Sequence, residues 1–371
     1  MSQPAGGARI DFIQALRGIA AAMVMLYHLH TTLAGTRFGD VGATLFNSGA
    51  AGVDLFFVIS GFIMVHTTRR ADGSPRYAAE FLAKRIARVW PVYAIATLVF
   101  SCALDLLVGQ ITVDQGWRSL ARALVFYPHS SLGAPFFRYQ PLFVGWSLGY
   151  EVWFYLLFAA SLLAGRWRWP AFAALFGAFV IAIPLAVTGD VHADAYVNYA
   201  LPGALLRLAA NPMMWDFIAG IAIALVYHSR FAIRSRLACW LCVAAAVAGE
   251  AWVLATGYRA GQGPTNWMPG LAIVVLVLAI ANKPRPIAVP RWLVWLGDVS
   301  FSLYLVHPFA SYLLPKLVFA LTRASIAHAI TTGLPFFAFQ IALSLALAAL
   351  GHRYLERGVA ERARRWLLGR L

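Results

Sequence analysis

Long apolar blocks separated by short polar and basic segments make up this chain. A helix needs about 20 residues to cross ~30 Å of hydrocarbon at 1.5 Å per residue. Ten blocks approach or meet that length, at 12 to 33, 52 to 68, 90 to 109, 144 to 164, 169 to 188, 213 to 228, 237 to 256, 267 to 282, 292 to 314 and 331 to 352. Between them, 111 to 143 reads as a long loop with a short helix at Trp117 to Phe126, and 189 to 212, with Pro202 and Pro212, as a second loop. The segment Tyr77 to Trp90 mixes Phe81, Leu82, Ile86 and Val89 with Lys84, Arg85 and Arg88, the pattern of an interfacial helix leading into the third span. The expected fold is therefore all-α: a polytopic integral membrane helix bundle of about ten transmembrane helices, one domain over residues 1–371. With its longest loop at about thirty residues, no Ser/Pro-rich linker and no convincing internal repeat, the chain leaves room for chemistry only within the bundle or at its edges.

Composition agrees with that pattern. The chain is 61% hydrophobic and 12% charged, with a mean hydropathy of +0.70, too apolar for a soluble surface. A formal charge of +15 would suggest nucleic acid in a soluble protein, but here the bases lie between spans, so no nucleic-acid partner is expected. With the N-terminus placed in the cytoplasm, 21 of the 30 Lys and Arg fall on inner segments and 8 on outer ones. That split predicts both termini inside and a multi-pass protein of the inner (cytoplasmic) membrane. The N-terminal dozen residues are polar with a single Arg, and the first apolar block is long enough to remain as a span, so no cleavable signal peptide is expected. Cys102, Cys239 and Cys242 all lie in apolar stretches; the last two have redox-pair spacing, but inside a span they read as buried structural thiols. No metal is expected.

Ionisable residues inside the spans are the functional candidates, because burying them in hydrocarbon costs free energy unless they face protein or a water-filled cavity. Arg17 and His28 are eleven residues apart, three turns plus about 20°, so they share a face of the first helix, with Gln14 extending the stripe at its inner end. The simpler alternative is a snorkelling Arg17 and a packing His28. Residue number converts to depth at ~1.5 Å per residue. On that scale His28, Asp54 at the outer end of the second span, Glu151 near the start of the fourth and His307 in the ninth fall in the outer half. Asp54 also reads as a helix cap, Glu151 as half of a structural ion pair, and His307, before Pro308, as a packing residue at a kink. Asp216 and Glu250 lie at outer ends without distinguishing surroundings; Asp105 and Asp298 read as helix-end residues. On the inner side, Arg85 and Arg88 are i, i+3 on one face with Lys84 beside them. They serve either as topology and lipid contacts or as a grip on phosphate.

These residues sit in motifs that resemble the membrane acyltransferase 3 family. Ile10-Asp11-Phe12-Ile13-Gln14-Ala15-Leu16-Arg17-Gly18-Ile19-Ala20 leads to Tyr27-His28, followed by Gly52-Val53-Asp54-Leu55-Phe56-Phe57-Val58-Ile59-Ser60-Gly61-Phe62. Arg85-Ile86-Ala87-Arg88-Val89-Trp90-Pro91, Trp146-Ser147-Leu148-Gly149-Tyr150-Glu151 with Phe154-Tyr155, and Gly297 to Pro308 complete the ordered set. The opening segment and 145 to 155 look most like the branch that modifies exopolysaccharide. The resemblance implies transfer of an acyl group, commonly acetyl from acetyl-CoA, to a glycan hydroxyl. It implies His28 as the catalytic histidine, Arg85 and Arg88 as the functional pair, and Glu151 as the polar partner in the fourth span. Within that scheme Glu151 or Asp54 is expected to orient the His28 ring, and Arg17, Arg85, Arg88 and Lys84 to meet the anionic acyl-CoA. His307, Tyr150 and Trp146 are expected beside the glycan or lipid-linked sugar acceptor. Donor and acceptor would enter from opposite faces, which requires a conduit along the Arg17 to His28 stripe. Two other classes fit the composition: a proton-coupled transporter or flippase of a lipid-linked sugar, and, more weakly, a structural subunit of a polysaccharide assembly.

Overall fold

The computed structural model describes residues 10–109, 113–128, 133–137, 141–233, 235–284 and 286–371. Arg9, Arg138, Arg234 and Arg285 of the charge distribution, and parts of the 111 to 143 loop, lie outside the described residues. All regular structure among the described residues is helical. In order the α-helices are α1 (Asp11–Leu29), α2 (Gly39–Phe46), α3 (Gly52–Thr67), α4 (Pro75–Val108), α5 (Val113–Leu124), α6 (Trp146–Leu162), α7 (Arg168–Gly177), α8 (Ile183–Thr188) and α9 (Ala204–Ala209). They continue with α10 (Met214–His228), α11 (Arg236–Thr256), α12 (Met268–Asn282), α13 (Arg291–Asp298), α14 (Ser300–Pro308), α15 (Leu314–Leu321), α16 (Ala324–Thr331), α17 (Leu334–Gly351) and α18 (Glu361–Leu368). Nine helical segments among the described residues are long and apolar enough to cross a membrane, and α12 is a shorter apolar helix. The protein is a polytopic all-α membrane bundle.

Local chemistry explains several boundaries. Ser74 Oγ accepts the Tyr77 N–H at 3.1 Å and Pro75 occupies the first turn, so α4 starts where its orphan donors are covered. The neighbouring Asp72 carboxylate accepts both the N–H and the hydroxyl of Ser74, which holds its pKa below the ordinary carboxylate range. The segment expected as an interfacial helix leading into the third span is continuous with it: α4 runs 34 residues, through Pro91, and is capped by Gly109 at φ +61°. A proline inside a helix removes one backbone donor and bends the helix without having to end it. The short helix of the first loop begins at Val113 and stops before Phe126, which takes φ +56°. Its last carbonyls are covered by the Trp90 indole N–H on Leu124 at 2.8 Å and the Tyr93 hydroxyl on Ala123 at 3.2 Å.

The helices that carry the candidate residues are drawn together by close glycine crossings. A Cβ on Gly220 would fall 1.9 Å from the Val58 carbonyl oxygen, and one on Gly61 would fall 2.1 Å from that of Phe217, so α3 and α10 touch backbone to backbone. Gly18 and Gly297 do the same for α1 and α13, where an added Cβ on Gly297 would sit 2.0 Å from the Gln14 carbonyl oxygen. These crossings bring the inner half of α1 against the start of the ninth span, which is broken between α13 and α14 and carries a π-turn over Phe309–Leu313 after Pro308.

Candidate functional site

Two neighbouring assemblies gather most of the expected residues. The first is a cavity among α1, α3, α4, α6 and α14. Its polar lining includes Arg17, Arg85, Arg88, Glu151, Ser60 and Tyr155. Arg17 Nη1 donates to Gln14 Oε1 at 2.9 Å, and Gln14 Nε2 donates in turn to Asp298 at 3.2 Å, which fixes the guanidinium across the α1–α13 crossing. Arg85 Nη2 donates to Thr67 Oγ1 at 2.9 Å and lies over the Phe81 and Tyr155 rings at 5.5 and 5.9 Å. Glu151 accepts the Ser60 hydroxyl at 3.2 Å and a short bond from the Tyr155 hydroxyl. Among the described residues no salt bridge engages Arg17, Arg85 or Arg88. Three cations therefore face one cavity with their nearby carboxylates bound to hydroxyl groups instead.

Glu356 belongs to this electrostatic neighbourhood and was missed by the sequence reading. Its carboxylate accepts the Ser302 N–H at 3.2 Å and the Ser302 hydroxyl, stands 3.4 Å from His352 Nδ1, and is within electrostatic reach of Arg17 and Arg88. The only sequence signal was a lone acid between Arg353 and Arg357, just beyond the last expected span. Lys84 departs from its expected role. Its ammonium lies 3.1 Å from Glu80 on a half-exposed helix face and is absent from the cavity lining, because the i, i+4 carboxylate offers a partner at no cost in burial.

The second assembly is a histidine pair. His28 Nδ1 is 2.9 Å from the Val24 carbonyl oxygen and 3.1 Å from His307 Nε2, and His307 Nδ1 is 3.1 Å from the Leu303 carbonyl oxygen. The two ring centres are 5.0 Å apart; the Phe143 and Tyr27 rings flank His28 at 5.0 and 4.9 Å. His307 is fully buried and His28 half-buried. Among the described residues, His28 Nε2 has no hydrogen-bond partner.

Neither carboxylate expected on the His28 ring is hydrogen-bonded to it. Glu151 points into the arginine cavity, as described. Asp54 accepts the Gly263 N–H at 2.5 Å and lies within electrostatic reach of Asp216 and Glu250, all three buried in a separate group between α3, α10 and α11. Similar depth placed these acids on one level but carried no information on azimuth, and the α3–α10 crossing turns Asp54 away from α1. Tyr150 and Trp146 are also turned to other work. The Tyr150 hydroxyl donates to the Pro135 carbonyl at 2.8 Å, and both rings are buried, Trp146 edge-on to Phe136 at 4.8 Å. They anchor the 133–137 segment.

The expected conduit does not run open from the cavity to His28. His28 is not in the cavity lining; Tyr304 and Phe56 are, with ring centres 5.8 Å apart. The Tyr304 hydroxyl is 2.7 Å from Ser147 Oγ and donates to the Val144 carbonyl at 2.9 Å. Its ring centre is 6.0 Å from that of His307. One tyrosine, a single helical turn before His307, thus separates the arginine cavity from the histidine pair. No cluster of His, Cys, Asp or Glu suited to a metal occurs among the described residues.

Comparison with known proteins gives a consistent picture. Residues 10–353 match the family described as an acyltransferase domain. The chain is 32% identical over 339 residues, covering 88% of it and 95% of the relative, to an exopolysaccharide production protein of Rhizobium meliloti. It is 29% identical over 317 residues to nodulation protein 10 of Rhizobium leguminosarum, covering 79% and 80%. Against a peptidoglycan O-acetyltransferase of Listeria monocytogenes the identity is 24% over 379 residues, covering 95% of this chain and 56% of that protein. No solved structure matches significantly.

Proposed function

The chain belongs to the acyltransferase domain family that spans residues 10–353, and from that premise we propose that it moves an acetyl group from acetyl-CoA to a hydroxyl of a cell-surface or lipid-linked glycan. The relatives whose names mention exopolysaccharide production and peptidoglycan O-acetylation support a glycan acceptor. In this reading the protein lies in the inner membrane with both termini in the cytoplasm, and the CoA enters from that side.

The observation that carries the reading is the pairing of an anion-ready cavity with a base one side chain away. Among the described residues Arg17, Arg85 and Arg88 form no salt bridge with a carboxylate, and they suit the phosphates of CoA, for which planar guanidinium forks are well matched. His28 presents an Nε2 without a hydrogen-bond partner among the described residues. A sugar hydroxyl gives its proton to Nε2 as its oxygen attacks the thioester carbonyl carbon. The C–S bond then breaks, and the proton passes from Nε2 to the departing thiolate, so the enzyme ends as it began. The acyl-pantetheine arm must pass Tyr304, so the Tyr304–Ser147 contact is the position that opens when donor binds. Glu151, held by Ser60 and Tyr155, keeps the cavity from carrying three uncompensated positive charges before CoA arrives.

The test uses the full chain in lipid nanodiscs, given radiolabelled acetyl-CoA and the repeat-unit oligosaccharide of the host's own exopolysaccharide. Label on the sugar, lost at least 100-fold in His28→Ala with the protein still folded, is the expected result. Full activity in that variant removes His28 from the mechanism. Movement of a lipid-linked sugar across the membrane with no label transferred establishes a transporter instead.

A further inference from the structure

We infer that His307 is a positioning residue: its Nε2 lone pair accepts the Nδ1–H of His28, fixing the tautomer that leaves His28 Nε2 free as the base. This rests on the acyltransferase reading above and adds a role for His307 in place of contact with acceptor.

The hydrogen-bond chain determines where each proton sits. A carbonyl oxygen only accepts, so the 3.1 Å contact with Leu303 puts a hydrogen on His307 Nδ1. In a neutral imidazole the other nitrogen, Nε2, is then an acceptor. His28 Nδ1 stands 3.1 Å from that lone pair and 2.9 Å from the Val24 carbonyl, and both contacts require the hydrogen on His28 Nδ1. The single Nδ1 hydrogen is shared between these two acceptors, and both select the same tautomer. The basic lone pair of His28 falls on Nε2, the nitrogen without a partner among the described residues.

Burial explains why a histidine suits this position. His307 is fully buried between α1 and α14, so it does not touch substrate. A carboxylate in its place would be a charge in a low-dielectric interior with no cation at hand, and several kcal/mol of desolvation would oppose it. A neutral imidazole leaves the resting site uncharged yet still accepts from the imidazolium that forms when His28 takes the hydroxyl proton. The i−4 carbonyls of Val24 and Leu303 hold the two rings from behind, and Tyr304 on the same helix ties this pair to the cavity wall.

The experiment compares His307→Leu, His307→Gln and His28→Ala in nanodiscs with acetyl-CoA and the same oligosaccharide, after each is shown to be monodisperse and folded. His307→Leu is expected to lower kcat about 100-fold with KM for both substrates within twofold. His307→Gln, whose amide oxygen restores an acceptor, is expected to recover at least tenfold of that loss. A folded His307→Leu that keeps kcat within threefold of wild type, while His28→Ala is inactive, overturns the inference and leaves the proposed function standing. Equal losses in the Leu and Gln variants also overturn it, since they mark a packing role. Should the Leu variant not fold, nitrogen-15 spectra of histidine-labelled wild type decide: neutral His28 protonated at Nδ1 supports the inference, and protonation at Nε2 refutes it.

Discussion

Arg85 and Arg88 show why a cationic cluster persists half inside a membrane protein without collapsing into ion pairs. The carboxylates that could neutralise it are already satisfied by neutral donors, Glu151 by Ser60 and Tyr155, Glu356 by Ser302. A hydroxyl-bound carboxylate lowers the local potential without blocking the guanidinium forks, which stay available to an anion of better fit. The expected consequence is that Arg85→Ala with Arg88→Ala raises the Kd for acetyl-CoA at least tenfold, measured by titration in nanodiscs, and flattens the dependence of binding on salt. Unchanged binding would make the pair a topology signal only. Lys84→Ala, by contrast, removes a partner of Glu80 on the half-exposed face of α4 and is expected to leave acetyl-CoA binding within twofold of wild type.

Elements are placed by small residues as much as by large ones. The apolar face of α3 would meet α10 wherever the bundle closed, but the register is set at Gly61 and Gly220, where each Cα lies against the other helix's carbonyl. That register decides which way Asp54 points and so separates it from His28. Gly220→Ala is expected to strain the crossing, because a methyl 1.9 Å from a backbone oxygen requires the helices to part, at about 1–3 kcal/mol. The midpoint of thermal unfolding in detergent should fall. Gly249→Ala, with nothing within 4 Å of its added methyl, should leave that midpoint unchanged or raise it through helix propensity. Equal midpoints for Gly220→Ala and wild type would mean that the crossing relaxes freely.

At the scale of the whole molecule the charge distribution orients the bundle. With 21 Lys and Arg on one set of segments against 8 on the other, both termini are expected in the cytoplasm. A single cysteine at position 260, in a variant without Cys102, Cys239 and Cys242, should react with an impermeant maleimide added to intact cells, whereas one at 232 should react only after permeabilisation. The opposite pattern would invert the bundle and put the arginine cavity on the wrong side for CoA.

The membrane class, the helical fold and the ordered motifs were legible in the chain because block length and residue type are local properties, read without knowing what packs against what. The grouping of Arg17 with Arg85 and Arg88 was legible only as shared chemistry, and Glu151, expected beside His28, joins them only in the structure. Depth follows from counting residues, yet the azimuth of each helix depends on its neighbours. That is why Asp54 joined Asp216 and Glu250 beside Gly263, Glu356 entered from the far end of the chain, and His307 rather than a carboxylate met the His28 ring. Sequence alone determined what each helix carries and where along its axis; close contact between helices decided which side chains meet, since a rotation of one helix by a single residue's 100° changes every partner on its face.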